Sequence, residues 1–370
     1  MIMSKINILM VLDNTGRGGA QTYVMNVLRN IDCDRFHIDF VVNRNPENGY
    51  GEEIVKFGSK IHYIPKFKIY NWRSYSKAWQ SILQNYKYNI IHGHVSSTAG
   101  IYLKIAKKFS CATIAHSHSA GFRGGWCERQ LKKIFTKSAK KYADYWFSCS
   151  DIAAIRLFGN DYKNNKRYLE IPNAIISRKY RFNESIRTSV RACIGVSEDT
   201  LLVGHVGSFS TPKNHLFLLE IFKHIKEEQP NTKLILVGDG PLKQDIENKA
   251  CKLDISKDII YTGNVGNVNE YMMAMDVMLF PSLFEGFPVT VVEAQAAGLY
   301  TVLSNTITEQ VYLTNNLTPV SLDASPIIWA KEVLMYNKCN RTLANDLVNT
   351  TDFNMDNSIK KLEETYLKMC

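Results

Sequence analysis

Pro281-Ser282-Leu283-Phe284-Glu285-Gly286-Phe287-Pro288-Val289-Thr290-Val291-Val292-Glu293-Ala294-Gln295-Ala296-Ala297-Gly298 follows the run 276–280, an aspartate and four apolar residues. The run reads as a buried strand, the stretch after it as a tight turn and then a helix. Glu285 falls on the turn and Glu293 on the opening of the helix, eight residues apart. Between them the helix start offers unpaired backbone N–H groups and the positive end of a dipole, which suits a phosphate. Two carboxylates beside such an end suit sugar or ribose hydroxyls next to a diphosphate.

Working outward, the same unit recurs. Residues 201–206 run into Gly207-Ser208-Phe209-Ser210-Thr211-Pro212-Lys213-Asn214 and a helix over 215–226. Residues 234–237 run into Gly238-Asp239-Gly240-Pro241 and a helix over 242–253, and residues 259–261 into Thr262-Gly263-Asn264-Val265 and a helix over 269–275. Strand, glycine turn and helix, four times over, predict a doubly wound parallel sheet. The first half alternates in the same way. Residues 6–12 form an apolar strand that leads through Gly16-Arg17-Gly18-Gly19 into a helix over 20–30; a glycine turn there either admits an anion or is only a turn. Residues 128–147 read as a helix, 146–150 as a strand, 178–183 as the linker between halves, and 358–367 as a short amphipathic helix.

The chain of 370 residues exceeds what one core usually covers, so two domains are expected. Its first strand ends in Asp13-Asn14-Thr15-Gly16 rather than a small-residue cleavage site, and no run approaches the ~20 apolar residues of a membrane span. Eight scattered cysteines show no C-x-x-C pair, as in a reducing compartment. The expectation is a cytoplasmic protein. Charge divides unevenly: residues 1–175 carry 26 Lys and Arg against 12 Asp and Glu, and the remainder 19 against 23. The basic half therefore meets an anionic partner, either nucleic acid or an anionic membrane surface. Lys132, Lys133, Lys137, Lys140 and Lys141 lie on one side of the expected helix 128–147, a face that can touch lipid headgroups while the apolar side packs on the sheet. Between Pro65 and Leu83, aromatics alternate with cations, a pattern open to base stacking, a lipid interface or an ordinary covering helix.

Two strands end in histidines, Ile90-Ile91-His92-Gly93-His94 and Thr113-Ile114-Ala115-His116-Ser117-His118. Strand carboxyl ends face the ligand crevice of open α/β sheets. No Cys or carboxylate framework accompanies these histidines, so a single one, His116, bonding a substrate hydroxyl is preferred over a metal site.

Gly207 to Asn214, Val237-Gly238-Asp239-Gly240-Pro241 and the Glu285–Glu293 pair with Gly-Phe-Pro after the first acid resemble the retaining, nucleotide-sugar-dependent glycosyltransferases of family 4. The resemblance covers nearly the whole chain. It implies the α/β GT-B fold, two Rossmann-like doubly wound domains facing each other across a cleft. Residues 1–175 would bind acceptor, residues 176–355 would bind the nucleotide sugar, and residues 356–370 would form a helix returning to the first domain. The Gly-Gly-Ala start and the Ala-His-Ser-His segment before a basic helix are similar to the branch that builds capsular and exopolysaccharides on lipid-linked intermediates.

By that resemblance Glu293 holds the ribose hydroxyls and Glu285 faces the donor sugar with the N–H groups of Gly286 and Phe287. Val289, Thr290 and Lys213 neutralise the diphosphate, and the Val265 backbone meets the base. Gly19 and His116 reach the reacting sugar from the other domain. The reaction implied is same-face transfer from a nucleoside diphosphate sugar, UDP-linked in the family, to a lipid-linked saccharide. The departing phosphate takes the acceptor proton, with no metal or other cofactor. The partners implied are the nucleotide sugar, the lipid-linked acceptor and an anionic membrane surface at the inner face of the cell membrane. Nucleic acid is excluded, because it leaves Glu285 and Glu293 without a role. The family carries Arg where this chain has Ser208, which cannot supply that charge; Arg17 or Arg123 are the candidates to compensate. The same departure motivates the alternative of a non-catalytic GT-B partner that activates another transferase.

Overall fold

The computed structural model describes residues 5–47, 49–118, 138–336 and 341–370. The chain forms two compact units, one holding the residues up to Ala174 together with Met355–Cys370, the other Ile175–Asn354.

In the first unit, β1 (Ile6–Val11), β2 (Phe36–Val42), β3 (Ile61–Tyr63), β4 (Ile90–Gly93), β5 (Ala112–Ser117), β6 (Tyr145–Ser148) and β7 (Tyr168–Glu170) form a sheet ordered β3-β2-β1-β4-β5-β6-β7. All its pairings are parallel. In the second unit, β8 (Leu201–Val206), β9 (Thr232–Val237), β10 (Ile259–Gly263), β11 (Val277–Phe280), β12 (Tyr300–Ser304) and β13 (Leu317–Val320) are ordered β10-β9-β8-β11-β12-β13, again parallel. Both sheets are Rossmann-like. In each the order turns back on itself, between β1 and β4 and between β8 and β11, and the loops at the carboxyl side of such a switch frame a ligand crevice.

The strands of the second sheet are apolar at consecutive positions because both faces are covered. Leu202, Ile235, Val237, Met278 and Phe280 enter one core, and Val203, Leu234, Leu236, Val277 and Leu279 enter the other. Asp276 fixes the entry to β11. It accepts from Arg187 Nη2 at 2.7 Å, Arg191 Nη1 at 3.2 Å and the Leu202 N–H at 2.8 Å, all buried.

Several sequence expectations shift. Residues 178–183, read as a linker, belong to the second unit: a 3-10 turn Ser177–Tyr180 packs there, and the Asn183 side chain caps the helix Glu184–Cys193 by accepting from the Ile186 N–H. The helix expected over 128–147 does not reach its end. Its described part stops at Tyr142, and Tyr145 and Trp146 are strand residues of β6, where β-favouring aromatics pair with both β5 and β7. Residues 119–137, with Lys132, Lys133, Lys137 and Arg123, lie outside the described residues. The tail helix is longer than expected, Met355–Met369.

The aromatic segment splits by face. Tyr75 and Trp79 are buried, Trp79 stacking on Tyr102 at 5.2 Å, whereas Ile69, Tyr70 and Trp72 stand exposed, Tyr70 at 81%. Among the described residues no helix is long and apolar enough to cross a membrane.

Candidate functional site

At the switch of the second sheet, the loops after β8 and β11 are stapled together. The Leu283 N–H donates to the Pro212 carbonyl at 2.8 Å, and Asn214 Nδ2 to the Pro281 carbonyl at 3.2 Å. Asn214 takes a left-handed conformation, φ 55°, which ends the turn Thr211–Lys213 and starts the helix His215–Glu228. That turn brings Lys213 Nζ to 2.7 Å from Glu285 Oε1, with only 15% and 14% of the two side chains exposed, and over the Phe280 ring at 4.8 Å. The third loop closes in tightly. Gly238 has φ 141°, and a Cβ there would meet the Gly207 carbonyl oxygen at 2.1 Å, so only glycine fits.

Glu293 lies in the helix Val289–Ala296 and accepts from the Tyr180 hydroxyl at 2.6 Å. Burial raises its pKa, while Tyr180 and the charge of Lys213 act the other way. Lys213 therefore acts on both acids. The helix start carries no side-chain cap. One of the two expected phosphate donors is already engaged, since the Val289 N–H donates to the Phe287 carbonyl at 3.0 Å. Phe287 is anchored by stacking on Phe353 at 5.6 Å and 9°, which fixes the backbone of Gly286 and Phe287. Val265 follows β10, half-buried against the same core. Ser208 is exposed, and among the described residues its side chain pairs with Ser210, Oγ to Oγ at 3.0 Å.

At the switch of the first sheet the helix Gly19–Asn30 also starts without a side-chain cap. A Cβ on Gly19 would meet nothing within 4 Å. Arg17 is exposed, with its guanidinium 5.5 Å from the Tyr50 ring centroid.

The four histidines meet here. Parallel pairing of His92 with Ile114 sets the ends of β4 and β5 side by side, and residues two apart in a strand share a face. His92 Nδ1 lies 2.6 Å from the Tyr366 hydroxyl and His92 Nε2 3.1 Å from His116 Nδ1. His94 Nδ1 lies 2.8 Å from His118 Nε2, and His118 Nδ1 2.8 Å from Asn173 Oδ1. Burial holds all four imidazoles below their ordinary range, His118 at about 4, so they are neutral at pH 7. His116 itself is fully buried.

Nitrogen atoms of His92, His94 and His116 lie within 4.8 Å of one another, close enough to consider a cation. The rings argue for hydrogen bonding instead. His92 and His94 stack face to face at 4.3 Å, so their in-plane lone pairs run side by side rather than converging.

Sequence reasoning did not single out Tyr180, Asn173 or Tyr366. Asn173 could have been found from Pro172 before it, which stops a strand at its carboxyl end. Tyr366 had no local signal, being 274 residues from His92.

The second half, residues 187–325, matches the family model described as glycosyl transferases group 1, and residues 17–175 match glycosyltransferase family 4. The chain is 32% identical over 339 residues to the "Putative glycosyltransferase EpsF" of Bacillus subtilis, covering 90% of this chain and 88% of that one. It is 24% identical to the UDP-Gal:alpha-D-GlcNAc-diphosphoundecaprenol alpha-1,3-galactosyltransferase of Escherichia coli, over 78% and 77% of the two chains. The crystal structure of Anabaena Alr3699/HepE in complex with UDP superposes with a TM-score of 0.80, 14% identity and coverage of 99% and 100%, and so shares the fold.

Proposed function

The chain belongs to the group 1 glycosyltransferases, with the family 4 model matching its first half, and from that premise we propose that it moves a sugar from a UDP-linked donor to a lipid-linked saccharide with retention of configuration. The observation that carries this reading is the Lys213–Glu285 pair beside an uncapped helix start and Glu293. A diphosphate arriving there competes with Glu285 for Lys213. Binding donor thus frees the Glu285 carboxylate, which turns to a sugar hydroxyl while Lys213 and the Thr290 N–H take the phosphates. Glu293, with Tyr180 on one oxygen, keeps its other oxygen for the ribose. Positive charge fixed at the leaving group stabilises its departure without a metal, and the phosphate oxygen left behind accepts the acceptor proton. His116 and Gly19 serve the sugar from the first unit.

UDP and a lipid-linked acceptor are supported by what the two relatives bind and act on by name. Growth of a surface polysaccharide at the inner membrane face fits such an acceptor. Attachment there uses the exposed Ile69, Tyr70 and Trp72 with Lys66, Lys68 and Arg73 flanking them, apolar bodies at the lipid boundary and cations on anionic headgroups. Arg17 and Arg123 are the candidates for the phosphate charge that Ser208 lacks.

The neutral, exposed Ser208 also favours a second reading, a GT-B subunit that binds nucleotide but activates another transferase. Incubating the purified chain with a panel of UDP-sugars and a diphospholipid-linked saccharide decides between them. Transfer that is lost in Glu285→Ala, with the product anomer unchanged from the donor, is expected. Donor binding without turnover would select the second reading, and full activity in Glu285→Ala would overturn the first.

A further inference from the structure

We propose that Tyr366, from the C-terminal helix, fixes the tautomer of His116 through His92, so that His116 presents a permanent Nε2–H donor. The proposal rests on the glycosyl-transfer reading for what that donor serves, an oxygen of the sugar or of the phosphate. The proton assignment itself rests on the hydrogen bonds alone.

Tyr366, His92 and His116 are all fully buried. Among the described residues the Tyr366 hydroxyl has one hydrogen-bond partner, His92 Nδ1 at 2.6 Å. If the phenol accepted from His92, its own proton would be buried with no acceptor beside it, whereas the opposite direction leaves the last proton on His116 Nε2, where the Ile171 carbonyl lies close by, and a buried donor with nothing near it is the costlier of the two. It therefore donates. His92 Nδ1 then accepts, and as a neutral ring His92 carries its single proton on Nε2. That proton is donated to His116 Nδ1 across 3.1 Å. His116, neutral as well, is left with its proton on Nε2.

The second pair runs separately. Asn173 Oδ1 accepts from His118 Nδ1, and His118 Nε2 in turn accepts from His94 Nδ1. His94 Nε2 is 3.2 Å from the Met10 sulfur. Of the four ring N–H groups so assigned, the one on His116 Nε2 has no hydrogen-bond acceptor among the described residues. The Ile171 carbonyl lies near enough to favour a proton on this ring yet closes no well-formed hydrogen bond with it. A buried N–H held ready and unspent at the end of β5 is a preorganised donor. The same chain makes His116 a poor general base, because its one lone pair, on Nδ1, already accepts from His92. Tyr366 is accordingly a positioning residue that never touches substrate.

Two-bond proton–nitrogen correlation spectra of the whole protein with 15N-labelled histidine read the tautomers directly, without any substrate. His116 with Nε2 protonated and Nδ1 bare is the expected result, and the reverse assignment would overturn the proposal. In Tyr366→Phe, which keeps the ring, His92 can hold its proton on either nitrogen and His116 should become a mixture; an unchanged spectrum sinks the relay. In the transfer assay Tyr366→Phe should lower kcat about tenfold, the worth of one hydrogen bond, at constant KM for donor. His116→Gln, whose amide nitrogen stands where Nε2 does, should keep most activity and His116→Asn little. Adding Tyr366→Phe to His116→Gln should cost nothing further, and an undiminished tenfold loss there would refute the relay. If the spectra behave as stated while no UDP-sugar is turned over, the transfer reading fails and the tautomer assignment stands.

Discussion

The two sheets switch direction in the same way, yet the two switch points are chemically opposite. In the second unit the crevice is built from charge, Lys213 against Glu285 and Glu293 against Tyr180, while at the other end of the same strands Asp276 sits between two buried arginines. In the first unit the equivalent place is filled by four neutral imidazoles stacked and bonded to one another. Under the proposed transfer, the contrast follows the partners each would meet. A diphosphate needs fixed charge. A sugar carbon in the act of losing its leaving group needs donors that stay put and no stray charge.

The comparison breaks first, and most severely, at Asp276. Asp276→Ala strands Arg187 and Arg191 in the core, and breaking a buried pair costs about 3–5 kcal/mol. Chemical denaturation should show that loss in the second unit. Local hydrogen exchange in the first unit should be unaffected.

Lys213→Ala comes next. It removes a charge-assisted bond of about 1.5–3 kcal/mol and leaves Glu285 facing the phosphates, so titration calorimetry should show UDP binding weakened ten- to a hundredfold. Lys213→Arg should recover part of it.

Acid separates the units by degree. The histidines of the first unit titrate lower when folded than when unfolded, so the stability they contribute is full above about 6.5, the unfolded value, and is lost as pH falls toward 4, where His118 titrates. His205 and His215 act in the same sense in the second unit, but there Glu293 works against them, because its folded pKa is raised and the folded state takes up its proton first. Hydrogen exchange between pH 6.5 and 4 should therefore loosen the first unit before the second. Uniform loosening would show that the histidine cluster is not the acid-labile element.

The smallest effect sharpens the comparison most. Gly19→Ala places a Cβ in open space at an uncapped helix start, so the melting temperature should stay within about 1–2 °C. If ligand approaches there, affinity for the UDP-sugar should fall in this variant while affinity for UDP alone holds.

Much of the fold was legible because it is written locally. Strand, glycine turn and helix recur with short spacing, and covered sheet faces leave runs such as 277–280 apolar throughout. The acid pair was legible because its geometry is made by one turn and one helix. What escaped was made at a distance. Tyr180 sits in a stretch whose polar, basic composition looks like a linker, and nothing local reveals that the chain there folds back on Glu293. Tyr145 and Trp146 fit the apolar side of a helical wheel as well as they fit β6, and only pairing with β5 and β7 decides. His116 could be picked out by its place at a strand end, but its protonation depends on a phenol from the far end of the chain.

The chain passes from the first unit to the second at Ala174 and returns at Met355, and the two crossings lie side by side, with the Ile175 N–H bonded to the Phe353 carbonyl at 2.8 Å. During synthesis this inverts the usual order. The half made first stays without the helix Met355–Met369 until all of the second unit has been made, whereas the half made second by then has all its parts. The Tyr366 hydroxyl therefore reaches His92 only after the whole of the second unit has been synthesised.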